Sequence, residues 1–249
     1  MPRVEQDDHV VYFITRVPDV GDEFNSFTTP IMFALTENHL ITLSRDSLGR
    51  LWQPFIERTH LVTSARTQLL LLMLDMISQQ YYSRVSAINR ETRAVTADVG
   101  RLGSKDIATI VEFERKLNDY LDALIPANTA TEKLLNGKLI KLTDDDRDLI
   151  EDLSVDLEQV IVRCKSLLRT ITNVRDSYRA VMDARLNETI RLLTVITLAL
   201  TIPTMMAGLF GMNVNIPGDV NSPYTFWAIA GTSVLISLSL AYYFLRKRQ

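Results

Sequence analysis

The strongest pattern in the chain lies at its C-terminal end, where two long runs carry no charge. Leu192 to Phe210 is free of charged residues, and at 1.5 Å per residue it covers about 28 Å, close to the ~30 Å hydrocarbon core of a bilayer. A second uncharged run, Tyr224 to Leu245, is long enough to return. The two predict a helical hairpin across a membrane, with spans at about 188–210 and 224–245. Ahead of the first span, from Ile150 through Leu153, Leu157, Val160, Cys164, Leu167, Ile171, Val174 and Tyr178 to Val181, apolar residues recur in alternating steps of three and four. That heptad stripe predicts a helix, and neither Gly nor Pro interrupts the chain before Pro203. Thr143 offers a capping hydroxyl, and Asp144, Asp145 and Asp146 suit the positive end of the helix dipole. Stalk and first span therefore read as one helix of roughly 96 Å, longer than a compact domain of this size needs, so partner subunits are expected.

Earlier in the chain the period changes. Val10 to Ile14 is β-branched and aromatic, and Ile31 to Leu35 is joined to Leu40 to Leu43 through Thr36, Glu37 and Asn38, which predicts a small sheet with a hairpin. After Pro54 no Gly or Pro occurs until Gly100, and the residues favour a long helix. Gly100 and Gly103 end it, Ser104 is expected to cap a second helix reaching toward Leu124, and Pro126 to mark a turn or kink. The fold class expected is α+β and helix-dominated: a sheet region at about 1–55, a helical bundle and stalk at about 56–185, and a transmembrane domain at 186–249.

Composition narrows the function classes. The net charge of −3 and the lack of a basic, aromatic-interleaved stretch argue against nucleic acid as a partner. A single cysteine, Cys164, excludes an internal disulfide and a multi-cysteine metal site, and its place on the stripe suits a small buried apolar residue. His9, His39 and His60 are scattered, and no nucleophile, base and orienting group gather on one segment, so an enzyme or a catalytic cofactor is not expected. The first 30 residues are acidic early and lack the apolar core of a signal peptide. Arg185 and Arg191 precede the first span and Arg246, Lys247 and Arg248 follow the second, while the loop between has no Lys or Arg; both termini are expected in the cytoplasm.

Within the first span the polar residues keep one phase. Asn187, Thr194, Thr197, Thr201, Thr204 and Gly208 share a face of the helix. Lipid offers no hydrogen bonds, so such a line should meet either another helix or water. A water-filled path would require several copies about an axis, because one hairpin cannot enclose it. Continued backward, the same face reaches Asp183 and Asp176, which would form carboxylate rings attracting cations, or lie on a solvated surface.

Directly after this span stands Gly208-Leu209-Phe210-Gly211-Met212-Asn213, with Asn187 26 residues before Asn213. Gly-Met-Asn at the outer end of the first of two C-terminal spans resembles the signature of the CorA family of divalent-cation transporters, and the resemblance covers about residues 100–249 well. It implies a funnel-shaped homopentamer whose stalk helices continue as pore-lining spans and capture hydrated magnesium at the Gly-Met-Asn loops. Magnesium sheds its water reluctantly, so a neutral amide such as Asn213 would hydrogen-bond to the hydrated ion and still release it. Gly211 would allow close backbone approach or an unusual dihedral, and Met212 would pack to hold the loop. By the same resemblance Asn187 forms a second constriction, Asp176 with Tyr178 lies near the inner mouth, and Asp152 binds the cytosolic magnesium that closes the pore.

Two departures from the family pattern stand out. Only about 55 residues precede the first long helix, where relatives have a larger layered domain, and Asp219 is the sole acid of the outer loop. Passive magnesium uptake driven by the membrane potential is the leading expectation, with cobalt and nickel as possible substitutes. Zinc transport on the same fold is an alternative, although the proposed path holds neither His nor Cys. A membrane-anchored coiled-coil scaffold is a second alternative, which would leave the polar face without a role.

Overall fold

The computed structural model describes residues 1–18, 27–45, 47–49, 51–53, 66–97, 100, 102–136, 139–140, 142–212 and 223–246. Asn213, the outer loop through residue 222 and the expected sheet-to-helix boundary near residue 55 lie outside them. The chain divides into two compact units, Met1–Tyr178 and Arg179–Gln249.

The first unit opens with a four-stranded antiparallel meander in the order β1-β2-β3-β4. The strands are β1 (Arg3–Asp7), β2 (Val10–Pro18), β3 (Thr28–Leu35) and β4 (Leu40–Ser44). The predicted hairpin is present, with Leu35 opposite Leu40 and Ile31 opposite Ser44; the Thr36 hydroxyl accepts from the His39 amide at 2.9 Å and closes the turn. Strand β1 escapes the sequence reading because four of its five residues are exposed and no alternation marks it. It joins β2 through a tight turn that holds Asp8 at φ 48°, a left-handed conformation that Asp tolerates.

Val11, Phe13, Val17, Ile31, Phe33 and Leu35 form one buried face of the sheet. Against it pack helices α1 (Arg66–Val95) and α2 (Ser104–Leu135), and the first half of α3 (Asp144–Phe210) completes the same core. Tyr81 links the layers. It is buried, stacks edge-on with Tyr120 at 5.2 Å between ring centroids, and donates its hydroxyl to the Arg16 carbonyl of β2 at 3.0 Å. On the opposite face Ile41 and Leu43 are 55% and 62% exposed, so no described element covers β4 there.

Two boundary expectations change. The residue that caps α2 is Gly103 rather than Ser104: its amide donates to Asp106 Oδ2 at 2.8 Å, and Ser104 is already helical. Pro126 does not end α2, which continues to Leu135. The proline removes only the bond to the carbonyl of exposed Asp122, while Leu124, Ala127, Ala130 and Leu134 stay buried on both sides of it. Packing outweighs the local cost, about 3 kcal/mol in a helix interior.

The start of α3 matches expectation. Thr143 Oγ1 accepts from the Asp146 amide at 3.2 Å, and Asp146 Oδ2 accepts from the Thr143 amide at 3.0 Å, a reciprocal cap. From there one helix of 67 residues runs to Phe210. Its heptad stripe is buried from Ile150 to Ile171, but by this chain's own helices and sheet. Seven apolar side chains, each worth about 1.5–3 kcal/mol when buried, are thus used within one subunit and are not open to a neighbour. The stripe is therefore no evidence for an intersubunit coiled coil over 150–171. Cys164 sits on it with no exposed surface, and burial pushes its thiol up to about 12, which leaves it inert as a nucleophile.

Where α1 faces α3, burial first and then the Asp156 carboxylate raise the pKa of Asp75, while the Gln79 amide, donating at 2.8 Å, pulls it back. A folded-state pKa above the unfolded value means that the charged form costs stability at neutral pH, and that the cost fades as pH falls through the raised value toward 3.8. Asp75→Asn is expected to raise the unfolding midpoint at pH 7 and to lose that advantage near pH 4. Midpoints of both proteins across this range check it; an equal gain at both ends would assign the effect to packing instead.

Candidate ion pathway

The second unit consists of the end of α3 and of helix α4 (Pro223–Arg246). Both spans predicted from the sequence are present, and their apolar windows are bare: 6% of the window in α3 and 11% of that in α4 is buried. A soluble core helix would be mostly covered, so these helices suit lipid or further copies of the chain.

What is covered lies on one side of α3. Val195 is buried, and Ala199, Ile202, Pro203, Met206 and Phe210 are half-buried. On α4 the buried residues are Ser233 and Ser237, flanked by half-buried Ala230 and Ala241, all small side chains. Arg191 donates to the carbonyl of Phe244, one of the last, otherwise unpaired carbonyls of α4, and so joins the two helix ends with a charge that suits the negative pole.

The polar line occupies the other side. Asn187, Thr194, Thr197, Thr201, Thr204 and Gly208 are all exposed, and their mean direction is roughly 150° from that of the covered residues at 3.6 residues per turn. Each of the four threonines donates its hydroxyl to the carbonyl one turn earlier, at 2.7–2.8 Å. This satisfies the hydroxyl proton within the helix and leaves the oxygen lone pairs facing outward as acceptors, able to receive hydrogen bonds from water.

At the outer end Gly211 continues the backbone with its amide donating to Ala207 O at 2.9 Å. A Cβ there would stand 3.0 Å from that same carbonyl, so close backbone approach, not an unusual dihedral, is what Gly211 provides. Met212 is 57% exposed, and the loop it is expected to hold lies outside the described residues. Asn213 lies outside the described residues. Asp183 and Asp176 are exposed on α3, and Asp152 is exposed in the first unit, one turn before Asp156. Sequence reasoning misses the Arg191 contact and the buried Ser237; a lone Arg at a span's edge and a Ser in a run of Ser and Leu carry no distinguishing signal.

The CorA-like Mg2+ transporter family model matches residues 1–248. The chain belongs to the CorA family. As a CorA-type protein it is a divalent-cation transporter of the magnesium class, and the scaffold reading is not favoured. The cobalt/magnesium transport protein CorA of Methanocaldococcus jannaschii is 24% identical over 252 residues, which are 99% of this chain and 79% of that protein. The complete structure of the CorA magnesium transporter from the same organism superposes with a TM-score of 0.85 at 23% identity, covering 98% of this chain and 78% of that one. The full-length CmaX protein superposes with a TM-score of 0.75 at 19% identity over 99% and 76% of the two chains. At such identities the superpositions establish the fold, including the long helix and the apolar hairpin.

Gly208 gives a test of the exposed face. A Cβ at this position would meet nothing within 4 Å, so Gly208→Ala costs no contact inside the subunit and gains about 1 kcal/mol of helix propensity. The expected outcome is an unchanged or higher unfolding midpoint together with magnesium influx reduced at least about tenfold, because the methyl group would narrow a path shared between copies. Undiminished influx would remove Gly208 from the path.

Proposed function

We propose that this chain is the subunit of a homopentameric magnesium channel in the cell membrane, with both termini in the cytoplasm, a cytoplasmic domain at 1–185 and a transmembrane domain at 186–249. The observation that carries the reading is the division of α3 into two sides: α4 covers one, and the Asn and Thr line is left open on the other. Copies arranged about an axis would close that line into a wall of hydroxyl and carbonyl oxygens. The cobalt/magnesium function named for the Methanocaldococcus jannaschii relative agrees with a wall of hard oxygen donors.

Hydrated magnesium is received at Gly211, Met212 and Asn213, where the uncharged amide of Asn213 hydrogen-bonds to coordinated water. The ion then passes Thr204, Thr201, Thr197 and Thr194 to a second constriction at Asn187. Asp183 and Asp176 line the inner mouth and hold cations there by charge alone, which screening by salt weakens. Because the path strips no inner-sphere water, the driving force is the membrane potential, worth about 4.6 kcal/mol for a divalent ion at 100 mV.

In the cytoplasmic domain, magnesium binding at Asp152 reports the internal concentration and closes the pore. The neighbouring negative field supports this assignment, since Asp156, one turn on, already raises the pKa of Asp75.

The decisive experiment is magnesium influx into proteoliposomes holding the purified protein and an entrapped indicator, with and without an inside-negative potential. Influx should rise with the potential and fall to background in Asn213→Ala while the oligomer remains intact; normal influx in that variant would remove the filter assignment. For regulation, Asp152→Ala should shift magnesium protection from proteolysis to about tenfold higher concentration, as loss of a charged ligand worth ~1.4 kcal/mol predicts. An unchanged protection curve would place the regulatory ion elsewhere.

A further inference from the structure

The apolar hairpin contains two polar groups that have each lost a partner. Pro203 has no N–H, so the carbonyl of Ala199 lacks the donor that an ordinary residue at 203 would supply. Ser237 is 5% exposed, and its hydroxyl has no hydrogen-bond partner; among the described residues of this unit it is the one buried side-chain polar atom in that condition. The neighbouring hydroxyls behave differently. Thr194, Thr197, Thr201, Thr204, Thr232 and Ser233 each donate to a carbonyl of their own helix.

The two groups stand within about one helical turn of the same depth. The Arg191 contact with the Phe244 carbonyl sets the level of the antiparallel helices. Eight residues up α3 from Arg191 is Ala199, about 12 Å; seven residues back along α4 from Phe244 is Ser237, about 10.5 Å. Both residues belong to the sides of the helices that are covered, Ala199 half-buried and Ser237 buried. In hydrocarbon an unpaired donor and an unpaired acceptor each cost more than they would in water, where solvent would serve both.

We propose that Ser237 is a positioning residue of the pore helix: in a second arrangement of the hairpin its hydroxyl donates to the Ala199 carbonyl and sets the bend of α3 at Pro203. Thr201, Thr204 and Gly208 lie on either side of that proline, so the bend moves the outer half of the polar face relative to the inner half. The bond is open in the arrangement described here; the bonded arrangement pairs both groups and is the one the membrane favours. The proline creates the acceptor, and the serine on the covering helix is placed to use it.

The inference rests on the channel reading only for its effect on transport, and its test has a readout that does not. Full-length protein in lipid nanodiscs is compared as wild type, Ser237→Ala, Pro203→Ala and the double variant, by unfolding midpoint and, in proteoliposomes, by magnesium influx. Ser237→Ala should lower the midpoint by about 2 °C and influx about threefold, the factor for a membrane hydrogen bond of ~0.6 kcal/mol. In the Pro203→Ala background, where the substitution restores the missing N–H, it should change neither. Ser237→Cys, which keeps the volume with a weak donor, should behave as Ser237→Ala. Equal effects of Ser237→Ala in both backgrounds, or no effect in the wild-type background, would overturn the proposal. A wild type without influx would remove the channel reading, and the midpoint comparison would still decide the role of Ser237.

Discussion

One helix has to satisfy two solvents, and the rest of the molecule is arranged around that requirement. From Ile150 to Ile171 the apolar stripe of α3 is buried against the chain's own sheet and helices, with water on its other side. From Leu192 to Phe210 the same helix carries no charge and is mostly bare, with one side covered and a line of threonines on the other. The inversion fixes what each part can do. In the first part polar groups are exposed freely and apolar ones carry the packing energy; in the second, every backbone and side-chain polar group must find its partner within protein or in a water-filled space.

The division of α3 into a covered and an open side follows from this constraint. The side of α3 around Val195 is covered, and that contact gains dispersion where no hydrophobic driving force exists. On the open side the threonines satisfy their own protons within the helix, which lowers, without removing, the cost of that face in lipid. Their oxygens would meet water if, as proposed, other copies enclose the face. In the proposed channel, a conduction path and a tolerable membrane helix would thus be made from the same residues.

Much of this is legible in the sequence, and the failures share a cause. The β3–β4 hairpin, the reciprocal cap at Thr143, both spans and the polar line depend on local spacing and chemistry, which a sequence carries explicitly. Strand β1 is missed because a pairing partner, not its own pattern, makes it a strand. Pro126 reads as a turn or kink because its local cost is visible and the packing of Leu124, Ala127 and Ala130 that carries the helix past it is not. The candidate site divides the same way: the polar face can be found by period, whereas the pairing of Arg191 with Phe244 and the isolation of Ser237 exist only once two helices are side by side.

The heptad stripe shows why periodicity alone does not name a partner. A three-and-four pattern states that one side of a helix avoids water; it does not state whether a neighbour in the same chain or another chain provides the cover. Here the chain's own core takes the stripe up to Ile171, and beyond it Val174, Tyr178 and Val181 are only half-buried. Assembly must then draw on surfaces that the fold leaves open, and in the second unit the largest are the bare sides of the spans themselves. An oligomer held chiefly there would bring the polar faces together as a condition of forming at all, since apolar sides can meet lipid at little cost while a line of Asn and Thr cannot.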